Sequence, residues 1–120
     1  MKKGRKISGG KYVKSRKKKL YERPGQRRVV KLGEEKRKTK KTRGGNKKTS
    51  LLVAKFVNIR EKNKTKKLEI KNVVETPSNR FLSRQNVITK GAIVDTEFGK
   101  VKITNRPGQE GSLNGILIEE

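Results

Sequence analysis

Leu68-Glu69-Ile70-Lys71-Asn72-Val73-Val74 is the stretch on which the fold turns. Its first four residues alternate apolar and polar, so an extended chain puts Leu68 and Ile70 on one face and Glu69 and Lys71 on the other. That period marks a strand with one buried face. Upstream, residues 51–59 form an apolar-rich run with Val53, Phe56, Val57 and Ile59, and the polar residues 61–66 supply a hairpin connection between the two runs. Downstream, Thr76-Pro77-Ser78-Asn79 starts a turn. Further strands are expected at residues 87–88, 92–96, 101–104 and 113–118, with Glu97-Phe98-Gly99-Lys100 as a tight hairpin turn. A short helical turn is expected at residues 80–85. Phe56, Phe81 and Phe98 are expected in the core. No longer window in this half shows a strong helical apolar period.

Short strands at this spacing predict a mainly β protein with a small closed or partly open β-barrel. A chain of roughly 70 residues can close one sheet and remove its edges, but it can hardly build two.

The remainder of the chain is different in kind. Residues 1–50 hold 22 Lys or Arg against 3 acids, whereas residues 51–120 hold 13 against 8. Apolar residues run the other way, 9 against 25. The expected division is therefore a long basic N-terminal extension, residues 1–42, and a barrel domain, residues 43–120. So few apolar groups cannot offset the ordering entropy of the extension, which is expected to be disordered when free. The whole chain carries a net charge of +24, a load suited to a polyanionic partner.

Composition also removes several functions. Without cysteine there is no disulfide and no thiolate metal site, and without histidine the usual imidazole ligand and general base are missing. The acids are scattered, and no group is singled out for acid–base work. No enzyme activity, cofactor, metal or small-molecule substrate is expected. The longest apolar runs, such as Leu51-Leu52-Val53-Ala54, are far short of the about 20 residues of a membrane span. The basic start runs into Ser8-Gly9-Gly10 and does not resemble a secretory signal.

Two glycine pairs lie in basic sequence, Ser8-Gly9-Gly10-Lys11 and Arg43-Gly44-Gly45-Asn46-Lys47-Lys48. Glycine lets a backbone approach phosphate closely, and successive N–H groups can form an anion nest beside the cations. The bland alternative is a flexible linker. Neither pair is a Walker loop, because Gly45 is followed by Asn46 and then a strand. Arg23-Pro24-Gly25-Gln26 recurs as Arg106-Pro107-Gly108-Gln109, and Pro-Gly suits the centre of a type II turn. The dense runs Lys14-Ser15-Arg16-Lys17-Lys18-Lys19 and Lys36-Arg37-Lys38-Thr39-Lys40-Lys41 favour polyanion binding over a merely solvated face. Tyr12 and Tyr21 among them could stack on bases.

The candidate RNA contacts follow. In the extension they are Lys2, Lys3, Arg5, Lys6, Gly9, Gly10, Lys11, Lys14, Arg16, Lys17, Lys18, Lys19, Arg27, Arg28, Lys38, Lys40 and Lys41. At the junction they are Arg43, Gly44, Gly45, Asn46, Lys47 and Lys48. On barrel loops they are Arg80, Arg84 and Arg106.

With these motifs in view, the sequence resembles the eukaryote-type family of archaeal and eukaryotic small-subunit ribosomal protein eight. Beyond the two glycine pairs, the resemblance is carried by residues 73–80, from Val73-Val74 through Thr76-Pro77-Ser78-Asn79-Arg80, and by residues 86–94, including Asn86-Val87-Ile88-Thr89-Lys90-Gly91. It ends at Thr104-Asn105-Arg106-Pro107-Gly108-Gln109-Glu110-Gly111. The short chain resembles the archaeal branch, although it opens Met1-Lys2-Lys3-Gly4-Arg5 where such members tend to have a Trp-containing segment. The resemblance implies an rRNA-binding, cytoplasmic constituent of the small ribosomal subunit. It would act as a monomer beside neighbouring ribosomal proteins, and would support subunit assembly and translation. Charge alone leaves a DNA-compacting chromatin protein, a ribosome assembly factor or a binder of an acidic protein as rivals.

Overall fold

The computed structural model describes residues 4–61 and 64–118. It is mainly β, and its centre is a closed five-stranded barrel. In chain order the elements are β1 (Lys31–Leu32), β2 (Lys36–Lys41), β3 (Lys47–Ala54), β4 (Phe56–Glu61) and β5 (Lys64–Glu75). They continue with α1 (Arg80–Arg84), β6 (Ile93–Thr96), β7 (Gly99–Ile103) and β8 (Asn114–Leu117). A 3-10 turn, Leu20–Glu22, precedes them.

The alternating stretch lies in β5, the longest strand. Its first half pairs antiparallel with β4, from Glu61↔Lys64 to Phe56↔Glu69. Of the connection expected at residues 61–66, Glu61 and residues 64–66 pair as strand, and Lys62 and Asn63 lie outside the described residues. Its second half pairs with β6, with register shifts at Ile70/Asn72 and Val73/Glu75. Such irregularities bend and twist a strand, which a five-stranded closure requires. Next, β6 and β7 form a hairpin whose last pair is Thr96↔Gly99, leaving Glu97-Phe98 as the loop. β7 pairs antiparallel with β8, and β8 returns parallel to β4 at Asn58↔Asn114 and Ile59↔Gly115. That last pairing closes the barrel.

Val57, Ile59, Leu68, Ile70, Val73, Val94, Val101, Ile103 and Leu113 fill the interior. Gly115 is required there by space. A Cβ would lie 2.4 Å from Val101 Cγ1 and 3.1 Å from Lys102 O.

The second sheet is small, in the order β1-β3-β2. Here the apolar run 51–59 departs from the single strand expected of it. It divides at Lys55 into the end of β3 and the start of β4, which belong to different sheets. Residues 87–88 also fall short of a strand. They make only an isolated bridge, Val87 to Lys31, and the Ile88 N–H donates to Val30 O at 2.8 Å. Asn86, with φ of 51°, turns the chain immediately before them, and Asn tolerates that conformation.

The aromatic residues are the largest misreading of the core. Phe81 and Phe98 are 57% and 60% exposed, and Phe56 is half-buried. Phe98 occupies a two-residue turn and Phe81 the first turn of the short helix α1, positions that point away from the barrel. The narrow interior is filled by aliphatic, mostly β-branched residues.

Candidate nucleic-acid interface

The β2–β3 hairpin gathers the densest charge. Every residue of β2 is exposed, as are Lys47 and Lys48 at the start of β3. Lys40 lies directly opposite Lys48, and Lys41 opposite Lys47. Like charges at opposed positions destabilise a hairpin. A sequence that places two such pairs at a hairpin tip is suited to a partner that neutralises them.

The turn between the strands, residues 42–46, is closed from both ends of Thr42. Its N–H donates to Asn46 O at 2.7 Å and its hydroxyl to the same oxygen at 2.9 Å. Gly44 and Gly45 have φ of +84° and +81° with open space where a Cβ would stand. Backbone conformation, not crowding, therefore demands glycine at both. Arg43 precedes them at the tip. The expected division at residue 42 falls at the start of this turn, so β2 and β3 face each other across it. Of the hairpin cations, Arg37 is already engaged by Glu35, through Nε at 2.9 Å and through Nη2.

A second cluster forms where distant segments meet. Arg27 and Arg28 stand beside Lys90 and Arg106 around a cleft of about 460 Å³. Arg28 donates through Nη1 to Ser50 Oγ at 2.7 Å and Gly108 O at 3.5 Å. The Leu51 N–H donates to Pro107 O at 3.0 Å, which joins the 106–110 loop to β3. This loop does not form the expected type II turn, since Gly108 lacks the positive φ that such a turn needs. Instead both Gln109 and Glu110 donate to Arg106 O. Residues 24–26, the other Pro-Gly copy, form no turn at all. Sequence reasoning missed Lys90, because nothing local distinguishes it from any other loop lysine.

Residues 4–29 are exposed throughout. Gly9, with φ of +77°, helps close a local loop in which Arg5 bridges Lys11 and donates through Nη1 to Gly9 O at 3.1 Å. Lys6 lies 5.9 Å from the Tyr12 ring and Lys19 5.8 Å from that of Tyr21. Arg16 is spent differently, because its guanidinium grips both oxygens of Glu22 at 2.7 and 2.5 Å. That grip, helped by the Lys19 N–H, holds the Glu22 carboxyl below the usual range. Gly10, Lys14, Lys17 and Lys18 are exposed and make no ion pair among the described residues. Lys2 and Lys3 lie outside the described residues.

Arg80 and Arg84 stand apart from both clusters. They flank the Phe81 ring at 5.9 and 5.7 Å on α1, which Asn79 caps by accepting from the Phe81 N–H at 2.9 Å. Lys66 and Lys67, on β5, were not among the sequence candidates, and Lys66 is paired with Glu61 at 2.6 Å. They cover the rings of Phe98 and Phe56 at 5.0 and 4.3 Å.

A basic hairpin carried on a five-stranded barrel is thus set within a chain of known kind, for a model described as ribosomal protein S8e matches residues 1–118. The chain belongs to the ribosomal protein S8e family. A small ribosomal subunit protein eS8 from Staphylothermus marinus is 48% identical over 119 residues, 97% of this chain and 93% of the relative. The eS8 protein of Nanoarchaeum equitans is 45% identical over 115 residues, covering 94% and 91% of the two chains. That of Methanococcus aeolicus is 43% identical over 121 residues, covering 97% and 93%. Within the S8e match lie both glycine pairs, the β2–β3 hairpin and the 106–110 loop.

Proposed function

We propose that this chain is a structural constituent of the small ribosomal subunit that binds rRNA by neutralising phosphates. Its relatives are named as small ribosomal subunit proteins. The single observation that carries the mechanism is the hairpin tip, where Lys40 and Lys41 oppose Lys48 and Lys47 around a glycine turn bearing Arg43. The barrel and its β2–β3 hairpin dock as a rigid body, while the exposed basic residues that precede β1 form an extension that becomes ordered along the RNA. Selectivity comes from RNA shape, because phosphate contacts position a protein without reading bases. The role is to support subunit assembly and translation, in the cytoplasm, as one copy beside neighbouring ribosomal proteins, without cofactor or turnover.

The test follows from counterion release. Removing residues 1–42 outright would also remove β2, the partner of β3. Substitution is therefore the cleaner change. Glutamine at Lys40, Lys41, Arg43, Lys47 and Lys48 should reduce the slope of log affinity against log salt by roughly 0.7 to 0.9 per lost phosphate contact. Small-subunit rRNA should bind the native chain better than random duplex DNA of equal length. An unchanged salt slope, or equal affinity for the DNA, sinks the reading.

A further inference from the structure

Four cations at one cleft, brought together from three segments, call for more than general backbone attraction. Arg27, Arg28, Lys90 and Arg106 line it, and no acid is among the lining residues. None of the four forms an ion pair among the described residues. Arg28 is pre-positioned, since its Nη1 is held by Ser50 Oγ and Gly108 O, and its Nε and Nη2 are left over for a ligand. Val30, Ile88 and Pro107 also line the cleft, but they are buried in the packing beneath and give a ligand little surface. Thr89 lines it as well, and its Oγ1 is shielded from solvent without a hydrogen-bond partner among the described residues.

A phosphate alone would occupy only part of the cleft and leave the face of the held Arg28 guanidinium unused. A base alone would leave the cations unmatched. The volume of about 460 Å³ lies in the range of small-molecule pockets, large enough for both parts of one nucleotide. We propose that this cleft seats one nucleoside phosphate, the phosphate on Arg27, Arg106 and Lys90 and the base against the Arg28 guanidinium. Arg28 presents its planar guanidinium to the ligand, a surface on which unstacked bases pack. Resting on the rRNA-binding reading, the proposal takes the ligand to be a nucleotide turned out of an RNA helix. It makes the cleft a place of selective recognition, whereas the hairpin recognises charge.

The experiment is an NMR titration of the full chain with inorganic phosphate, adenosine 5′-monophosphate, an RNA stem, and the same stem with one bulged adenosine. Adenosine monophosphate should bind at least tenfold more tightly than phosphate, shifting the Thr89, Lys90 and Gly108 amides. The bulged stem should bind more tightly than the plain one. Both preferences should vanish in an Arg27→Gln/Arg106→Gln variant and weaken in Arg28→Lys, which keeps the charge but removes the planar face. Equal binding of phosphate and the mononucleotide overturns the proposal. A mononucleotide preference without a bulge preference assigns the seat to a free nucleotide and overturns the RNA source. Affinity for the plain stem, with its salt slope, reports the hairpin separately, so the two readings can fail independently.

Discussion

Arg28 and Ser50 are joined by a hydrogen bond of 2.7 Å from guanidinium Nη1 to hydroxyl Oγ, although 22 positions separate them in the chain. Ser50 is buried and also donates to Lys38 O at 3.3 Å. One hydroxyl thus links the segment before β1 to both strands of the basic hairpin. Arg28→Met should cost about 1–3 kcal/mol, because the Ser50 oxygen loses its charged donor. Urea denaturation would measure it. Combined with Ser50→Ala, the two losses should be clearly less than additive, and additive losses would mean that the contact contributes nothing.

Gly115 should not tolerate even a methyl group. Gly115→Ala drives Cβ against Val101 Cγ1 and the Lys102 carbonyl inside the closed barrel. A loss of about 1–3 kcal/mol or more is expected, seen as a lower thermal midpoint. Trimming Val101 to Ala in the same chain should recover part of that loss, with the backbone contact limiting the recovery.

The opposed lysines set stability against binding. Lys40→Glu converts the Lys40↔Lys48 pair into an attractive one. The free protein should gain about 0.2–1 kcal/mol at low salt. The gain should shrink as salt screens the pair. RNA affinity should fall in the same variant, because a cation becomes an anion at the proposed interface. Parallel denaturation and filter-binding curves would show whether the two quantities move in opposite directions.

Glu22 offers a pH test. Arg16 chiefly, and then the Lys19 N–H, hold its carboxyl below the usual range. A carboxyl depressed in the folded chain stabilises it above the ordinary, unfolded value. That contribution disappears as pH falls through the lowered one. The Leu20–Glu22 turn should therefore persist into mildly acid solution and open below it. Carboxyl chemical shifts would follow the titration, and Arg16→Gln should move its midpoint upward.

Much of this protein was written locally. Alternation in Leu68-Glu69-Ile70-Lys71 determined a half-buried strand, because side chains in an extended chain alternate between two faces. The polar connections marked the hairpins, the turn at Thr76 and the helix at Arg80 formed where expected, and the uneven charge marked the basic first fifty residues, but the folding of residues 36–50 into a hairpin was not legible in it. Tertiary structure decided what depends on distant partners. Residues 51–59 split at Lys55 because the two halves pair in different sheets, which no local pattern records. Phe81 and Phe98 point outward because the small interior is already filled by aliphatic residues. Arg28 lies 80 positions from Gly108, and only the docking of the 106–110 loop on β3 makes them neighbours. The parallel return of β8 to β4 closes the barrel, and it is this closure that leaves no room for a side chain at Gly115.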